Sequence, residues 1–270
     1  MSKFFRFLKL ATGFFSILLT LLFSTGCFQS SKKQAPLVVG MDLSYPPFEM
    51  RDANGNPSGI SAELAHALAS SLNRDITILN IPFGSLIESL TKSKIDLIIS
   101  SMTATEERAK VISFSDPYVK TGLCLLIHRF SGFKSISDVD RPGRTLAVMD
   151  GTTGHKYAAE NIKQAAVLVL KNEAECALKV IQGEAHAFIF DQMSVYKNWQ
   201  ANPTTTLALL DPFQKESWAI GIRQRDLSLR KKVNAFLKDF RTRGGFERLG
   251  DHYLSKEKIA FEELGYEFFF

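Results

Sequence analysis

The chain has 270 residues, of which 45% are hydrophobic and 23% are charged, a composition typical of a globular protein with one large domain or two smaller lobes. Its net charge is +5, and three of these charges come from Lys3, Arg6 and Lys9 in an N-terminal leader. The remaining charge is too small to indicate a polyanionic partner, and the basic stretch at 223–232 is interrupted by acidic and apolar residues. Composition and charge therefore argue against fibrous, disordered and nucleic-acid-binding proteins.

The first residues have the pattern of an export signal. A basic segment precedes an apolar run at 10–23, which is shorter than the ~20 residues that a membrane-spanning helix needs. Residues 1–26 are therefore predicted to be a signal peptide, with a permanent anchor as the alternative. The small residues before Cys27 resemble the processing site of bacterial lipoproteins, although Ser24 stands where that pattern prefers Leu. The resemblance implies that Cys27 is acylated and that residues 27–36 form a flexible tether.

Two series of alternating strands and helices follow the tether. The first is predicted to contain strands at 37–40, 76–81 and 95–99 and helices near 61–72 and 85–92. The second is predicted to contain strands at 145–148, 166–170 and 187–190 and helices near 156–163 and 173–182. This alternation predicts mainly parallel α/β sheets, and two separate series predict two lobes. Ser61 is expected to cap the first helix.

Two apolar strands, at 122–128 and 217–222, flank the second series and are predicted to pass between the lobes as hinges. Helices near 227–241 and up to residue 254 would complete the first lobe. The predicted boundaries are residues 37–122 and 218–255 for the first lobe, 123–217 for the second lobe and 256–270 for a C-terminal tail.

The sequence offers little for catalysis. It contains no phosphate-binding loop, no Gly-x-Ser-x-Gly elbow and no His-Glu-x-x-His motif, and its five histidines are scattered singly. Cys124 and Cys176 have no metal-ligand spacing and are expected to be buried apolar side chains, with a disulfide as the alternative in an oxidising compartment. No catalytic residue, cofactor or metal is expected.

Polar and aromatic residues instead cluster at the predicted strand ends, where open α/β sheets bind their ligands. These segments are residues 40–49, 81–83, 96–108, 114–118, 150–154 and 190–191.

The segments resemble the polar amino-acid-binding proteins of bacterial ABC importers. The motifs are Tyr-Pro-Pro-Phe-Glu at 45–49, Ser-Met-Thr-Ala-Thr-Glu-Glu-Arg at 101–108 and Phe-Ser-Asp-Pro-Tyr at 114–118, and the resemblance extends over about 37–254. It implies a two-lobe periplasmic-binding-protein type II fold with a ligand cleft between lobes that two hinge strands join. It also implies a monomeric periplasmic lipoprotein that delivers a free amino acid to a membrane permease and its ATPase subunits.

A free amino acid is a zwitterion, so a cleft that dehydrates it must supply a cation for its carboxylate and an anion for its ammonium group. Arg108 offers a planar fork for the carboxylate, and the backbone N–H groups of Thr103 and Thr153 would add donors. Asp191 matches the ammonium-binding acid of the family, with the Ser101 carbonyl and the Thr103 hydroxyl as partners. Taken singly, Arg108 could be a surface arginine and Asp191 a helix N-cap.

The resemblance also implies how the ligand side chain is held. In binders of basic amino acids, the positions of Tyr45 and Phe83 enclose the side chain, and the acid at Asp42 pairs with its distal cation. Glutamine binders keep that acid but have Lys at the position of Met149 and His at that of Phe190, which favours arginine or lysine here. The remaining residues expected at the pocket are Ser100, Ser101 and Thr152, with Asp150 as a second acid nearby.

Three alternatives remain open. The ligand could be glutamine or another polar amino acid. An enzyme resembling periplasmic cyclohexadienyl dehydratase would share the fold but would need an added acid and base in the cleft, and the matching segments offer no such pair. A sensor domain would need a separate signalling partner.

Overall fold

The structure is a computed structural model that describes residues 35–268. The predicted signal peptide, Cys27 and the predicted tether up to residue 34 lie outside the described residues. Within residues 35–268, none of the helices has the length and apolar character to cross a membrane.

Strands and helices alternate along most of the described chain. The strands are β1 (Leu37–Met41), β2 (Met50–Arg51), β3 (Pro57–Ser58), β4 (Ile76–Asn80), β5 (Leu97–Ile98), β6 (Ser113–Phe114), β7 (Val119–His128), β8 (Thr145–Met149), β9 (Ala166–Leu170), β10 (Ala187–Asp191), β11 (Thr206–Trp218) and β12 (Gly221–Ile222). The helices are α1 (Ile60–Ser71), α2 (Leu86–Thr91), α3 (Glu106–Ala109), α4 (Ile136–Val139), α5 (Thr153–Asn161), α6 (Glu173–Ile181), α7 (Gln192–Ala201), α8 (Leu227–Thr242), α9 (Gly245–Tyr253) and α10 (Ser255–Glu263), with a 3-10 helix at Phe83–Ser85.

The first lobe is built on a sheet with the strand order β4-β1-β5-β12-β6. β1 pairs in parallel with β4 and β5, whereas β12 pairs antiparallel with β5 and β6. Leu37, Val39 and Met41 of β1 share a buried cluster with Leu64 and Leu68 of α1. This packing follows the apolar spacing of α1, which places both leucines on one helix face.

The second lobe is built on a mixed sheet with the order β11-β7-β10-β8-β9. β8, β9 and β10 are parallel, as the alternation predicted, but β7 runs antiparallel to both of its neighbours. Leu123 and Leu125 of β7 enter one hydrophobic cluster, while Cys124 and Leu126 enter the other. A strand that is buried on both faces in this way needs an unbroken apolar run.

The chain passes between the sheets twice, from β6 to β7 and from β11 to β12. The two crossings are hydrogen-bonded to each other, because Ser115 N donates to Ile220 O at 3.0 Å and Ile220 N donates to Ser115 Oγ at 2.9 Å. The second crossing lies within the predicted segment 217–222. The first crossing precedes the predicted segment 122–128, which lies inside the second sheet.

The start of α1 differs from the prediction. The N-cap is Gly59, with φ 102°, and a Cβ at this position would lie 2.6 Å from the carbonyl oxygens of Pro47 and Phe48. Only glycine tolerates this combination of backbone angle and close approach. Ser61 is therefore not the cap, and its hydroxyl donates to the buried carboxylate of Glu49 instead.

Both cysteines of the described chain, Cys124 and Cys176, are buried and free, so the alternative of a disulfide does not hold. The Cys124 thiol donates to the carbonyl oxygen of Leu210 at 3.3 Å. Burial raises the pKa of both thiols, which keeps them protonated.

The segment expected to be a C-terminal tail contains α10. Phe261 of α10 is buried, and its ring centre lies 5.2 Å from that of Tyr196 in α7. Tyr266 and Phe268 also pack against Phe261, with distances of 6.2 Å and 6.3 Å between the ring centres. The sequence does not reveal this helix, because its burial rests on a few aromatic contacts and not on a long apolar stripe.

We expect Phe261→Ala to lower the free energy of unfolding by roughly 3–5 kcal/mol, because it removes the aromatic anchor of α10 and leaves a cavity. Ile259→Ala is the matched control on the same helix, since Ile259 is 59% exposed, and it should change stability by about 0.5 kcal/mol or less. Urea denaturation measures both. Equal effects of the two substitutions would show that α10 does not pack in solution.

Candidate functional site

All the residues that sequence analysis assigned to a ligand pocket line a single cavity between the lobes. They are Asp42, Tyr45, Phe83, Ser100, Ser101, Thr103 and Arg108 of the first lobe and Met149, Thr152, Thr153 and Asp191 of the second. Many of them lie where a strand stops: Asp42 follows β1, Met149 ends β8 and Asp191 ends β10. Parallel strands bring such ends to one edge of each sheet, and the two edges face each other here.

Arg108 is held at the cavity by contacts with both lobes. Thr105 caps α3, because its hydroxyl accepts a hydrogen bond from Arg108 N at 3.2 Å. The guanidinium donates to Thr103 O at 2.7 Å and to Gly151 O at 3.0 Å, and its Cζ lies 5.4 Å from the centre of the Phe83 ring. The side chain is thus a fixed cation at the cleft and not a free surface arginine.

Asp191 is a helix N-cap, as one of its two predicted interpretations has it, and its carboxylate also lies at the cleft. Its Oδ1 caps α7 by accepting from Met193 N at 3.1 Å and Ser194 N at 3.2 Å. Both carboxylate oxygens also accept from the Tyr45 hydroxyl of the first lobe at 2.8 Å. Burial raises the pKa of Asp191 to about 7; the hydrogen bond from Tyr45 opposes the shift, and the nearby carboxyl of Glu173 adds to it.

Glu49 is a second buried carboxyl at the cavity. The Ser61 hydroxyl donates to Oε1, and the Ser101 hydroxyl donates to both oxygens at 3.0 Å and 3.1 Å. Burial raises the pKa of Glu49 to about 8, although both hydroxyls oppose the shift. Ser101 itself has φ 46°, a left-handed conformation that is rare for a residue with a Cβ and that is often found in binding sites.

Asp42 is oriented by its neighbours in the first lobe. Its Oδ2 accepts from Phe83 N at 2.8 Å, and its Oδ1 accepts from Ser44 Oγ at 2.6 Å. Its backbone N–H donates to Ser100 Oγ at 3.0 Å. These bonds fix the carboxylate at the start of the 3-10 helix Phe83–Ser85.

The lining residues that the sequence did not assign to the site include Glu49, Glu173, Glu216 and Trp218. Glu173 is the first residue of α6, just after β9 ends. It could have been predicted, because ligands bind where the strands of open α/β sheets end. Glu216 and Trp218 lie two residues apart on β11. Had the predicted strand begun before residue 217, the two-residue period of a β-strand would have placed both side chains on one face. Asp150, expected as an acid near the pocket, is instead an exposed residue that pairs with His155 at 3.2 Å.

The charges around the cavity are strongly unequal. Among the described lining residues, Arg108 is the only cation, whereas the carboxyl groups are those of Asp42, Glu49, Glu173, Asp191 and Glu216. Within residues 35–268, no group of three or more His, Cys, Asp or Glu side chains is arranged to hold a metal ion. The arrangement is suited to binding a molecule that brings cationic groups and at least one anionic group.

Comparison with known proteins identifies the family. Residues 37–256 match the model of the bacterial extracellular solute-binding proteins, family 3. The chain belongs to this family. It is a binding protein and not an enzyme, and the predicted resemblance and two-lobe fold are confirmed.

Named relatives of this solute-binding protein bind amino acids. It is 33% identical to the arginine-binding periplasmic protein of Mannheimia haemolytica over 174 residues, which cover 64% of this chain and 69% of that protein. It is 27% identical to the ABC transporter glutamine-binding protein of Bacillus subtilis over 236 residues, 84% of each chain. A solved ABC transporter binding component from Wolinella succinogenes, complexed with lysine, superposes with a TM-score of 0.76 at 29% identity and covers 81% of this chain and 95% of that one.

The raised pKa of Asp191 makes a prediction about stability. The pKa of about 7 in the folded protein lies above the ~3.9 of an unfolded chain, so the stabilising effect of its proton is complete below about pH 4 and is lost as the pH rises to about 7. Asp191→Asn keeps an N-cap acceptor without the charge. We expect Asp191→Asn to raise the free energy of unfolding above that of the unaltered protein. This increase should be about 2–3 kcal/mol larger at pH 8 than at pH 5.

Urea denaturation at both pH values, without added amino acid, measures this difference. Asp116→Asn is the matched control because Asp116 is an exposed carboxyl, and its effect should be the same at both pH values. If Asp191→Asn has equal effects at pH 5 and pH 8, Asp191 is not a protonated buried group.

Proposed function

We propose that this protein is the substrate-binding component of an amino-acid ABC importer and that its ligand is arginine or lysine. The observation that carries the proposal is the excess of carboxyl groups over a single guanidinium among the described lining residues of the cleft. Arginine and lysine bring two cationic groups and one carboxylate, whereas glutamine brings one of each. Electrostatic complementarity therefore favours a basic amino acid. The arginine-binding and lysine-complexed relatives are consistent with this choice.

Arg108 and Asp191 hold the two charges that every amino acid shares. The guanidinium takes the α-carboxylate through two parallel N–H groups, and the backbone N–H groups of Thr103 and Thr153 add donors. Thr153 is the first residue of α5, where backbone N–H groups lack partners within the helix. Asp191 takes the α-ammonium group together with the Ser101 carbonyl and the Thr103 hydroxyl, and the cation replaces the proton that burial favours.

The ligand side chain extends towards Asp42. Tyr45 and Phe83 enclose its aliphatic part, and the carboxylate of Asp42 pairs with the distal ammonium or guanidinium. The hydrogen bonds from Phe83 N and Ser44 Oγ hold that carboxylate in one orientation. Ser100 and Thr152 complete the polar wall, and Met149 provides an apolar one.

The sequence supports a location outside the cytoplasm. Residues 1–26 direct export, Cys27 carries the lipid, and residues 27–36 tether a monomeric binding protein near its permease and ATPase subunits. We place the lobe boundaries at the two crossings between the sheets, so that lobe 1 contains the sheet β4-β1-β5-β12-β6 and lobe 2 contains the sheet β11-β7-β10-β8-β9. Hinge motion of these lobes captures the ligand.

Calorimetric titration with the twenty common amino acids tests the proposal. We expect arginine or lysine to bind in the micromolar range or tighter, about −8 kcal/mol or better, because the cleft compensates both of their cations. A preference for glutamine, or for an amino acid without a basic side chain, would contradict the assigned ligand.

Two substitutions separate the roles of the charged groups. Arg108→Ala should abolish binding of every amino acid, while the exposed Arg230→Ala on α8 should leave it unchanged. Asp42→Asn still offers an acceptor to Phe83 N, and it should weaken arginine and lysine about tenfold or more with a smaller effect on glutamine. If Asp42→Asn leaves the arginine affinity untouched, the specificity argument fails.

A further inference from the structure

Glu216 is a pocket residue that connects both lobes through one atom. It lies on β11, two residues before that strand leaves the second sheet. Its Oε2 accepts from Thr103 Oγ1 of the first lobe at 2.9 Å and from Thr153 Oγ1 of the second lobe at 3.0 Å. Its Oε1 accepts from Gln214 Nε2 at 2.9 Å. Both oxygens are therefore engaged, and the carboxylate is held in one place.

The two threonines are the ones that the proposed function assigns to the α-carboxylate and α-ammonium of the ligand. Arg108 lies close enough to interact with the same carboxylate: burial lowers the pKa of Arg108, and the charge of Glu216 opposes that shift. The protein thus places a carboxylate of its own within electrostatic range of the guanidinium, hydrogen-bonded to the side chains of the two threonines whose backbone N–H groups are assigned to the ligand carboxylate.

We propose that Glu216 is a specificity-determining residue whose carboxylate competes with the α-carboxylate of the ligand for the space beside Thr103 and Thr153 and for the electrostatic attraction of Arg108. This inference rests on the proposed function, because it assumes that an amino acid binds at these groups. Two carboxylates cannot share the site without mutual repulsion. Glu216 must therefore move aside when an amino acid binds, and it lowers the affinity for ligands that carry a carboxylate there.

A ligand without the carboxylate meets no such conflict. Agmatine has the guanidinium and the amine of arginine but no carboxyl group, so Glu216 would attract it and not repel it. The ratio of arginine affinity to agmatine affinity is consequently the quantity that Glu216 controls. Overall pocket damage would lower both affinities and would not raise this ratio.

Calorimetry of arginine and agmatine binding to the full protein and to Glu216→Gln tests the proposal. Gln keeps the shape and an acceptor oxygen but lacks the charge. We expect the arginine affinity to rise and the arginine-to-agmatine ratio to increase by about tenfold or more. Glu216→Ala should change the ratio in the same direction, which guards against a variant that folds poorly. Asp211→Asn, an exposed acid on the same strand, should leave the ratio unchanged.

Each other outcome has a definite meaning. If both affinities fall together in Glu216→Gln, Glu216 holds the ammonium group and the proposal is overturned. An unchanged ratio with measurable arginine binding overturns this inference but leaves the proposed function intact. If the unaltered protein binds none of the twenty amino acids, the proposed function fails and this inference fails with it.

Discussion

The cleft is governed by the cost of removing carboxyl groups from water. A buried carboxyl must keep its proton, accept several hydrogen bonds or pair with a cation. Asp191 and Glu49 have raised pKa values for this reason, and hydroxyl and backbone N–H groups satisfy their oxygens. A cationic ligand group can take the place of those protons. The choice of ligand is thus a consequence of the charges that the fold buries.

The same residues also connect the lobes. The Tyr45 hydroxyl reaches Asp191 across the cleft, and the Arg108 guanidinium reaches the Gly151 carbonyl. An ion pair between Glu107 and Lys156 adds a third contact at the rim. Because the first two of these contacts involve groups that the proposed function assigns to the ligand, ligand binding and the contact between the lobes must influence each other.

The sequence predicted the parts of the fold that follow local patterns. The strand at 166–170 and the helix near 173–182 agree with β9 and α6, and the residues assigned to direct ligand contacts line one cavity, many of them at strand ends. Glu216 was missed because β11 depends on pairing with β7, about ninety residues earlier in the chain, which no local pattern reveals. The Gly59 cap was missed because its cause is the distant approach of the segment at 47–48.

The most direct test of the account is the number of protons exchanged when arginine binds. Calorimetry at pH 7 in buffers with different ionisation enthalpies measures this number. With a pKa of about 7, Asp191 holds about half a proton at pH 7, and Glu49, with a pKa of about 8, holds most of one; a cation bound at Asp191 would expel the first and lower the pKa of the second, so we expect the release of about half a proton to one proton per arginine. Binding with no proton exchange, or with proton uptake, would contradict the account.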